Sequence, residues 1–218
     1  MNKKLSSDES RRDSHAAAEN ISDLEKNVIC EVANIVVGAA TTALSKMIEK
    51  KVEISSPELH ITTRKLLRVS CPLPFIVMKI RYTDGFVGEN LLVINKKDAV
   101  VIEDLMMGGS GVDASAQRFN ETHLSAMSEV MNQMMGSAAS SLSFMFNRKV
   151  IISTPEFPLF DGASRSLSPI LEDGDGQFLR IAFKILVAGL IDSEILQIMP
   201  IEFAKEMARF LISEITQG

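Results

Sequence analysis

A carboxylate and an amide stand three residues apart at two places in this chain of 218 residues. They are Glu31 with Asn34, and Glu129 with Asn132. Three residues along an α-helix bring a side chain back to nearly the same face, so each pair would present a hydrogen-bond acceptor beside a group that both donates and accepts. What such a pair offers directly is hydrogen bonding to a second molecule.

The two pairs belong to an internal repeat. The segment EVANIVVGAATTALSKMIEKKVEISSPE at 31–58 returns as EVMNQMMGSAASSLSFMFNRKVIISTPE at 129–156, at a constant offset and without a gap. About half of the aligned positions are identical. A diverging duplication keeps apolar core positions most easily. The retention of the same carboxylate and amide in both copies therefore favours a functional explanation over a merely solvated helix face.

Helical periodicity, at about 100° per residue, places each pair on a longer polar stripe. The first stripe contains Asn27, Glu31, Asn34, Gly38, Thr41 and Ser45; the second contains Ser125, Glu129, Asn132, Gly136 and Ser143. A glycine inside a helix costs roughly 1 kcal/mol relative to alanine. Gly38 and Gly136 therefore predict a close approach between the two helices. Val28, Val32 and Ile35 lie off the first stripe and are expected to face the core.

Composition limits the class of protein. An apolar fraction of 46% is ample for a core, and a formal charge of −5 argues against nucleic acid as the main partner. Cys30 and Cys71 are expected to be free thiols in a reducing cytoplasm. The N-terminus lacks the apolar region of a signal peptide, and no apolar run is expected to reach the roughly 18–20 residues of a membrane span.

The pattern of elements repeats as well. Residues 1–20 are polar and predicted to be disordered, and each half then reads as a long helix, antiparallel strands and a short helix. The long helices are expected at 21–49 and 121–146, the hairpins at 75–94 and 178–199, and the short helices at 98–107 and 201–215. Pro57 and Pro155 are each expected to set a turn between strands. This predicts one α+β domain at 21–215, made of repeats at about 21–111 and 120–215 that are related by a pseudo-two-fold axis.

The spacing Asp/Ser-x3-Glu-x2-Asn-x22-Pro resembles the signature of the CheC/CheX/FliY phosphatases of bacterial chemotaxis. The second copy matches it fully with Ser125, Glu129, Asn132 and Pro155, whereas the first has Asn27 at the leading position. Further segments resemble the FliY branch of this family, among them YTDGFVGENLLVI, EDLMMGGSG and LIDSEILQIMPIEFAKEM. The resemblance implies a duplicated CheC-like fold, shared with the middle domain of FliM, with long helices packed on a largely antiparallel sheet.

The resemblance also implies a function, the dephosphorylation of the response regulator CheY. Asn34 and Asn132 would orient the attacking water, and Glu31 and Glu129 would pair with a lysine of the regulator. Asn27, Ser125, Pro57 and Pro155 would support these residues. The chain itself would bind no cofactor, because Mg²⁺ lies in the regulator. The histidines lack metal-ligand spacing; they are His15, His60 and His123.

A second contact site is predicted at Gly108, Gly109, Ser110 and Gly111. In the related switch protein FliM, a GGxG loop contacts FliG in the rotor. The simpler alternative is a glycine helix cap, which Gly108 alone would provide. The resemblance thus implies FliG, FliM and FliN as partners at the cytoplasmic ring of the flagellar basal body, without membrane insertion.

Two departures from the FliY pattern stand beside the match. The N-terminus offers only LSSDES where a CheY-recruiting peptide is usual, and a FliN-like C-terminal domain is expected to be absent from this chain. A non-catalytic rotor protein of FliM type is the alternative function, and the Glu-x-x-Asn pairs argue against it because FliM lacks them. A small-molecule binding module has little support, since no phosphate-binding loop opens a helix.

Overall fold

The computed structural model of the protein describes residues 21–67, 74–112, 114, 121–157 and 176–217. The helices in these residues are α1 (Asp23–Met47), α2 (Arg64–Leu67), α3 (Lys96–Met106), α4 (Glu121–Met145) and α5 (Ile201–Gln217). The strands are β1 (Val52–Ile54), β2 (Glu58–Thr63), β3 (Phe75–Asp84), β4 (Gly88–Asn95), β5 (Ile151–Ile152), β6 (Gln177–Val187) and β7 (Ile191–Pro200). The predictions for residues 1–20, Cys71 and His15 lie outside the described residues.

Local sequence signals set the starts of the helices. Ser22 caps α1 and forms a capping box with Glu25, so two of the unpaired N–H groups of the first turn are satisfied by side chains. Asn95 caps α3 by accepting a hydrogen bond from the Lys97 N–H at 2.9 Å. The expected long helices, hairpins and short helices are therefore present, with bounds that differ by a few residues.

The seven strands form one antiparallel sheet in the order β1-β6-β7-β4-β3-β5, and β2 also pairs with β6. The strands that follow α1 therefore pair with the hairpin of the second half. Likewise β5, which follows α4, pairs with the hairpin of the first half. The α+β class and the pseudo-two-fold arrangement are confirmed, and the two halves exchange their edge strands.

The expected turns at Pro57 and Pro155 are wrong. Strands β1 and β2 run in the same direction along β6, where Ile54 pairs with Ile185 and Glu58 with Ala182. Between these two pairs, three residues of the β1–β2 segment oppose two residues of β6, which is a bulge rather than a turn. The second copy repeats it, because Ile152 pairs with Tyr82 and Glu156 with Lys79. Proline suits a bulge in an edge strand because it has no N–H to leave unpaired.

Helices α1 and α4 lie side by side and run antiparallel on one face of the sheet. The N-terminal part of α1, with Ile29 and Val32, shares a core cluster with Leu142 and Phe146 from the end of α4. The C-terminal part of α1, with Leu44, shares a cluster with the beginning of α4. Helix α5 packs beside α1 and α3 beside α4. The opposite face of the sheet carries its own apolar cluster, which includes Val77 and Leu91.

Helix α1 has the length and composition of a membrane span, which corrects the expectation that no apolar segment of this chain is long enough. In this fold its apolar side faces the sheet, with Ile29, Ala40 and Leu44 buried. The core helix of a soluble protein passes the same test of length and composition, so this feature alone is weak evidence for a membrane segment.

Candidate functional site

The predicted pairs lie on the outer faces of α1 and α4. Glu31, Asn34, Glu129 and Asn132 are all exposed to solvent, as are the leading residues Asn27 and Ser125. Within the described parts of the chain, neither Asn34 nor Asn132 makes a side-chain hydrogen bond. Each amide can therefore use both its N–H₂ donors and its carbonyl acceptor towards a second molecule.

The carboxylate of the second pair has a neighbour that the sequence analysis missed. Gln133 Nε2 donates to Glu129 Oε1 at 3.0 Å, across one turn of α4. The aligned residue of the first copy is Ile35, which cannot make this bond and is exposed rather than in the core as expected. The i,i+4 spacing from Glu129 was the signal that could have identified Gln133.

The two sites lie towards opposite ends of the helix pair. Ser137 Oγ donates to the Ala39 carbonyl at 3.1 Å, so these aligned residues of the repeat meet near the pseudo-two-fold axis. Each Glu–Asn pair precedes this contact on its own helix. Because the helices are antiparallel, the pairs are separated along the helix axes by roughly 20 Å, at about 1.5 Å per residue.

The polar stripes are shorter than predicted. Thr41 is buried, and its hydroxyl donates to the Val37 carbonyl at 2.7 Å. Ser45 Oγ accepts from the Val52 N–H at 3.1 Å, and Ser143 Oγ accepts from the Val150 N–H at 3.0 Å. These serines therefore anchor the strand that follows each helix and are not available to a partner.

The predicted close approach of helices at Gly38 and Gly136 is wrong. Among the described residues, and apart from the glycine's own helix turn, a Cβ atom built on either residue would meet no atom within 4 Å. Both glycines lie one turn after an asparagine, and Gly136 is exposed on the same face. Internal packing therefore gives no reason for glycine at these positions, and both leave open space on the outer surface of the helix pair.

The loop after α3 is a helix cap with an additional hydrogen bond. Gly108, with φ of 84°, donates to the Leu105 carbonyl, and Gly109 donates to the Asp104 carbonyl at 2.8 Å, which is a Schellman motif. Asp104 Oδ2 also accepts from the Gly111 N–H at 2.8 Å. Gly108, Gly109 and Ser110 are exposed and Gly111 is buried, so the cap fixes the shape of a loop at the surface.

The remaining chemistry-bearing residues form no second centre in the described part of the chain. No group of three His, Cys, Asp or Glu side chains there could hold a metal ion. His123 is buried, with Nε2 3.6 Å from the Glu103 carboxylate, whereas His60 is exposed on β2. Cys30 is a free, half-buried thiol, and burial raises its pKa.

Comparison with known families matches the two repeats separately. The CheC-like family matches residues 24–61 and 123–158, which contain both Glu–Asn pairs and both prolines. The chain is 39% identical over 195 residues to the flagellar motor switch phosphatase FliY of Bacillus subtilis (strain 168). That alignment covers 89% of this chain and 51% of the relative, so the chain spans about half the length of that protein.

Solved structures show the same fold. The crystal structure of Thermotoga maritima FliY superposes with a TM-score of 0.79 at 34% identity, covering 89% of this chain and 98% of that one. The middle domain of FliM from H. pylori superposes with a TM-score of 0.66 at 12% identity, covering 87% of this chain and 99% of that one. The second similarity, at its low identity, is one of fold alone.

Proposed function

We propose that this chain, which belongs to the CheC-like family and is similar to FliY, accelerates the hydrolysis of the aspartyl phosphate on the response regulator CheY. The observation that carries the proposal is the pair of exposed asparagines, Asn34 and Asn132, each three residues after an exposed glutamate on the outer face of a rigid helix. An amide without an internal partner on such a face is suited to orienting a water molecule of a second protein.

The proposed chemistry takes place in the pocket of the regulator. Asn34 or Asn132 holds the attacking water in line with phosphorus, which is a positioning effect. Glu31 or Glu129 forms a charge-assisted bond with a lysine of the regulator and fixes the register of docking. The regulator supplies the aspartyl phosphate and Mg²⁺, so this chain contributes neither a covalent intermediate nor a metal ligand.

The test is phosphate release from phosphorylated CheY in the presence of Asn34→Ala combined with Asn132→Ala. The double variant is expected to lose the acceleration, with roughly a 10- to 100-fold loss per site, because each change removes one positioning contact. The fold is expected to persist, since both side chains are exposed.

A matched control changes Thr42→Ala together with Ser140→Ala. These exposed residues are aligned in the repeat, and each hydroxyl bonds only to a carbonyl of its own helix. The control is expected to keep full activity. If the asparagine double variant is as active as the control, the proposed roles of Asn34 and Asn132 are wrong. If the unchanged chain gives no acceleration, the non-catalytic rotor function of FliM type becomes the better assignment.

We further propose that the loop Gly108–Gly111 contacts FliG, in a rotor that also contains FliM and FliN at the cytoplasmic ring of the flagellar motor. The support is an exposed turn flanked by the exposed apolar side chains of Met107 and Val112, in a chain whose fold is shared with the FliM middle domain and with a chain of a FliG–FliM complex. Asp104 stabilises this loop through the Gly111 N–H.

Asp104→Ala is expected to weaken FliG binding in a pull-down, because the loop loses its bond to Gly111. Asp104→Asn retains an acceptor oxygen and is the control that should bind as the unchanged chain does. Phosphatase activity should survive in both variants, since both Glu–Asn pairs lie on other helices. If a folded Asp104→Ala variant bound FliG as the unchanged chain does, we would assign the loop the role of a helix cap alone.

A further inference from the structure

Large apolar side chains are exposed beside the first Glu–Asn pair. On α1, Leu24 and Ile35 are 58% and 41% exposed, and on α4 Phe144 is 91% exposed. Leu24 and Ile35 share the outer face of α1 with Glu31, at about 100° per residue. We call Leu24, Ile35 and Phe144 the apolar shoulder.

The antiparallel packing of α1 and α4 brings Phe144 to the level of the first Glu–Asn pair, although Phe144 lies on α4, the helix that carries the second pair. Ser137 and Ala39 lie at the same level, because they are joined by a hydrogen bond. Phe144 is seven residues after Ser137, and seven residues before Ala39 is Val32, the neighbour of Glu31. Phe144 therefore stands across the helix pair from Glu31, and the shoulder contains residues of both repeats.

The three aligned positions of the other copy are not apolar. In the repeat, Leu24 aligns with Thr122, Ile35 with Gln133 and Phe144 with Lys46. All three apolar positions are thus polar or charged around Glu129 and Asn132. Because the two halves share one fold, the fold does not require these apolar side chains to be exposed. Large apolar side chains grouped on one side of the molecule, unlike single exposed ones, are typical of a surface that a partner covers.

We propose that the apolar shoulder is the docking surface for the phosphorylated receiver domain at the first site, and that it makes this site the higher-affinity one of the two. This inference rests on the proposed function. A stable interface covers about 800 Å² per partner, far more than one glutamate and one asparagine present. A receiver domain that brings its phosphate to Asn34 must therefore cover the residues around it. Ile35 and Phe144 lie within about two helical turns of Glu31 along the helix axes, so they fall inside that area.

Contact with the apolar shoulder should make the two sites differ in KM. Burial of an exposed aromatic ring stabilises the complex, whereas it does not act on the reacting atoms. The shoulder should therefore lower KM at the first site and leave kcat unchanged. The second site, flanked by Lys46 and Gln133, would act mainly when the regulator is abundant.

The test is Phe144→Ser placed in two backgrounds, with phosphorylated CheY as substrate. In the Asn132→Ala background only the first site works, and KM is expected to rise roughly 5- to 30-fold with kcat unchanged. In the Asn34→Ala background only the second site works, and Phe144→Ser is expected to change nothing. Val87→Ser is the matched control, because Val87 is 81% exposed and lies in the β3–β4 turn rather than on α1 or α4.

Three results would overturn the proposal: no change in either background, an equal change in both, or a change confined to the second site. Sedimentation of the chain alone tests whether a second copy of this chain covers the apolar shoulder instead. A dimer that Phe144→Ser dissociates would assign the shoulder to that second copy. Binding of CheY carrying beryllofluoride is measured in parallel. Binding that depends on Phe144, without any phosphate release, would refute the proposed function and leave the docking surface standing.

Discussion

At the scale of single residues, the two Glu–Asn pairs differ in what surrounds them. Gln133 holds the Glu129 carboxylate at 3.0 Å, whereas Ile35 stands at the aligned position beside Glu31. A carboxylate that is already oriented loses less side-chain entropy when it meets a lysine. We therefore expect the second site to have at least the kcat of the first when the regulator is saturating.

Single variants assayed side by side measure this difference. At saturating phosphorylated CheY, Asn132→Ala should lower kcat at least as much as Asn34→Ala. Gln133→Ala should reproduce part of the Asn132→Ala loss, and Gln133→Glu should not restore it because two carboxylates would repel. A clearly larger loss from Asn34→Ala would reverse this ranking of the sites.

The buried phenol of Tyr82 gives a residue-level test of the core. Burial raises the pKa of Tyr82 to about 12 from an ordinary value of 10.0, and the Asn90 amide donates to its oxygen at 3.3 Å. The raised pKa means that the neutral phenol is favoured in the folded chain. Its contribution to stability is therefore complete below about pH 10 and is lost as the pH rises through about 12.

Absorbance at 295 nm measures this titration directly, because the chain has one tyrosine and no tryptophan. The folded protein should titrate near pH 12, and the protein in denaturant near pH 10. Asn90→Leu should leave the midpoint high, since the larger cause is burial and not the amide. A midpoint near 10 in the folded protein would mean that water reaches Tyr82.

At the scale of helices and strands, the glycines of the long helices are not required by packing. A Cβ atom at Gly38 or Gly136 would meet nothing within 4 Å, and both residues have negative φ. Gly38→Ala and Gly136→Ala should therefore each raise the free energy of unfolding by roughly 0.5–1 kcal/mol in a denaturant titration.

Gly108→Ala is the matched control for these substitutions. Its Cβ would also meet nothing within 4 Å, but its φ of 84° is one that alanine rarely adopts. This variant should lower the free energy of unfolding, because open space does not relieve backbone strain. If all three alanine variants moved in the same direction, propensity and φ would not explain these glycines.

At the scale of the whole molecule, the exchange of edge strands makes the two halves depend on each other. Strands β1 and β2 from the first half pair with β6, and β5 from the second half pairs with β3. Each half alone would expose the edge of its hairpin and one side of its long helix. Unpaired backbone groups and exposed apolar surface both oppose folding.

Separate fragments 21–112 and 121–217 test this dependence. Each fragment alone should give a far-UV circular dichroism spectrum of a largely unfolded chain, and an equimolar mixture should recover the helix content of the intact protein. The intact chain cleaved between the fragments is the control for the loss of the connection. A fragment that folds cooperatively alone would show that the halves are independent domains.

The sequence by itself determined the elements and the chemistry of the candidate site. The periodicity of 23–47 and 121–145 marks two long helices, and the aligned Glu-x-x-Asn pairs fall on their exposed faces, because helix geometry depends only on local spacing. The hairpins follow equally from alternation of apolar residues and from turn signals such as Asp84-Gly85. These features require no knowledge of which elements meet.

The tertiary structure alone decided what lies between and beside these elements. From the sequence, a proline between two short strands predicts a turn. Because both strands pair with β6, Pro57 lies in a bulge instead. A glycine inside a helix predicts close packing, but a Cβ atom built on Gly38 or Gly136 would face open space. Phe144 is brought level with Glu31 by an antiparallel helix pair whose contacts join residues about 100 positions apart. Pairings at such separations depend on which apolar faces are buried together, and local spacing carries no information about that choice.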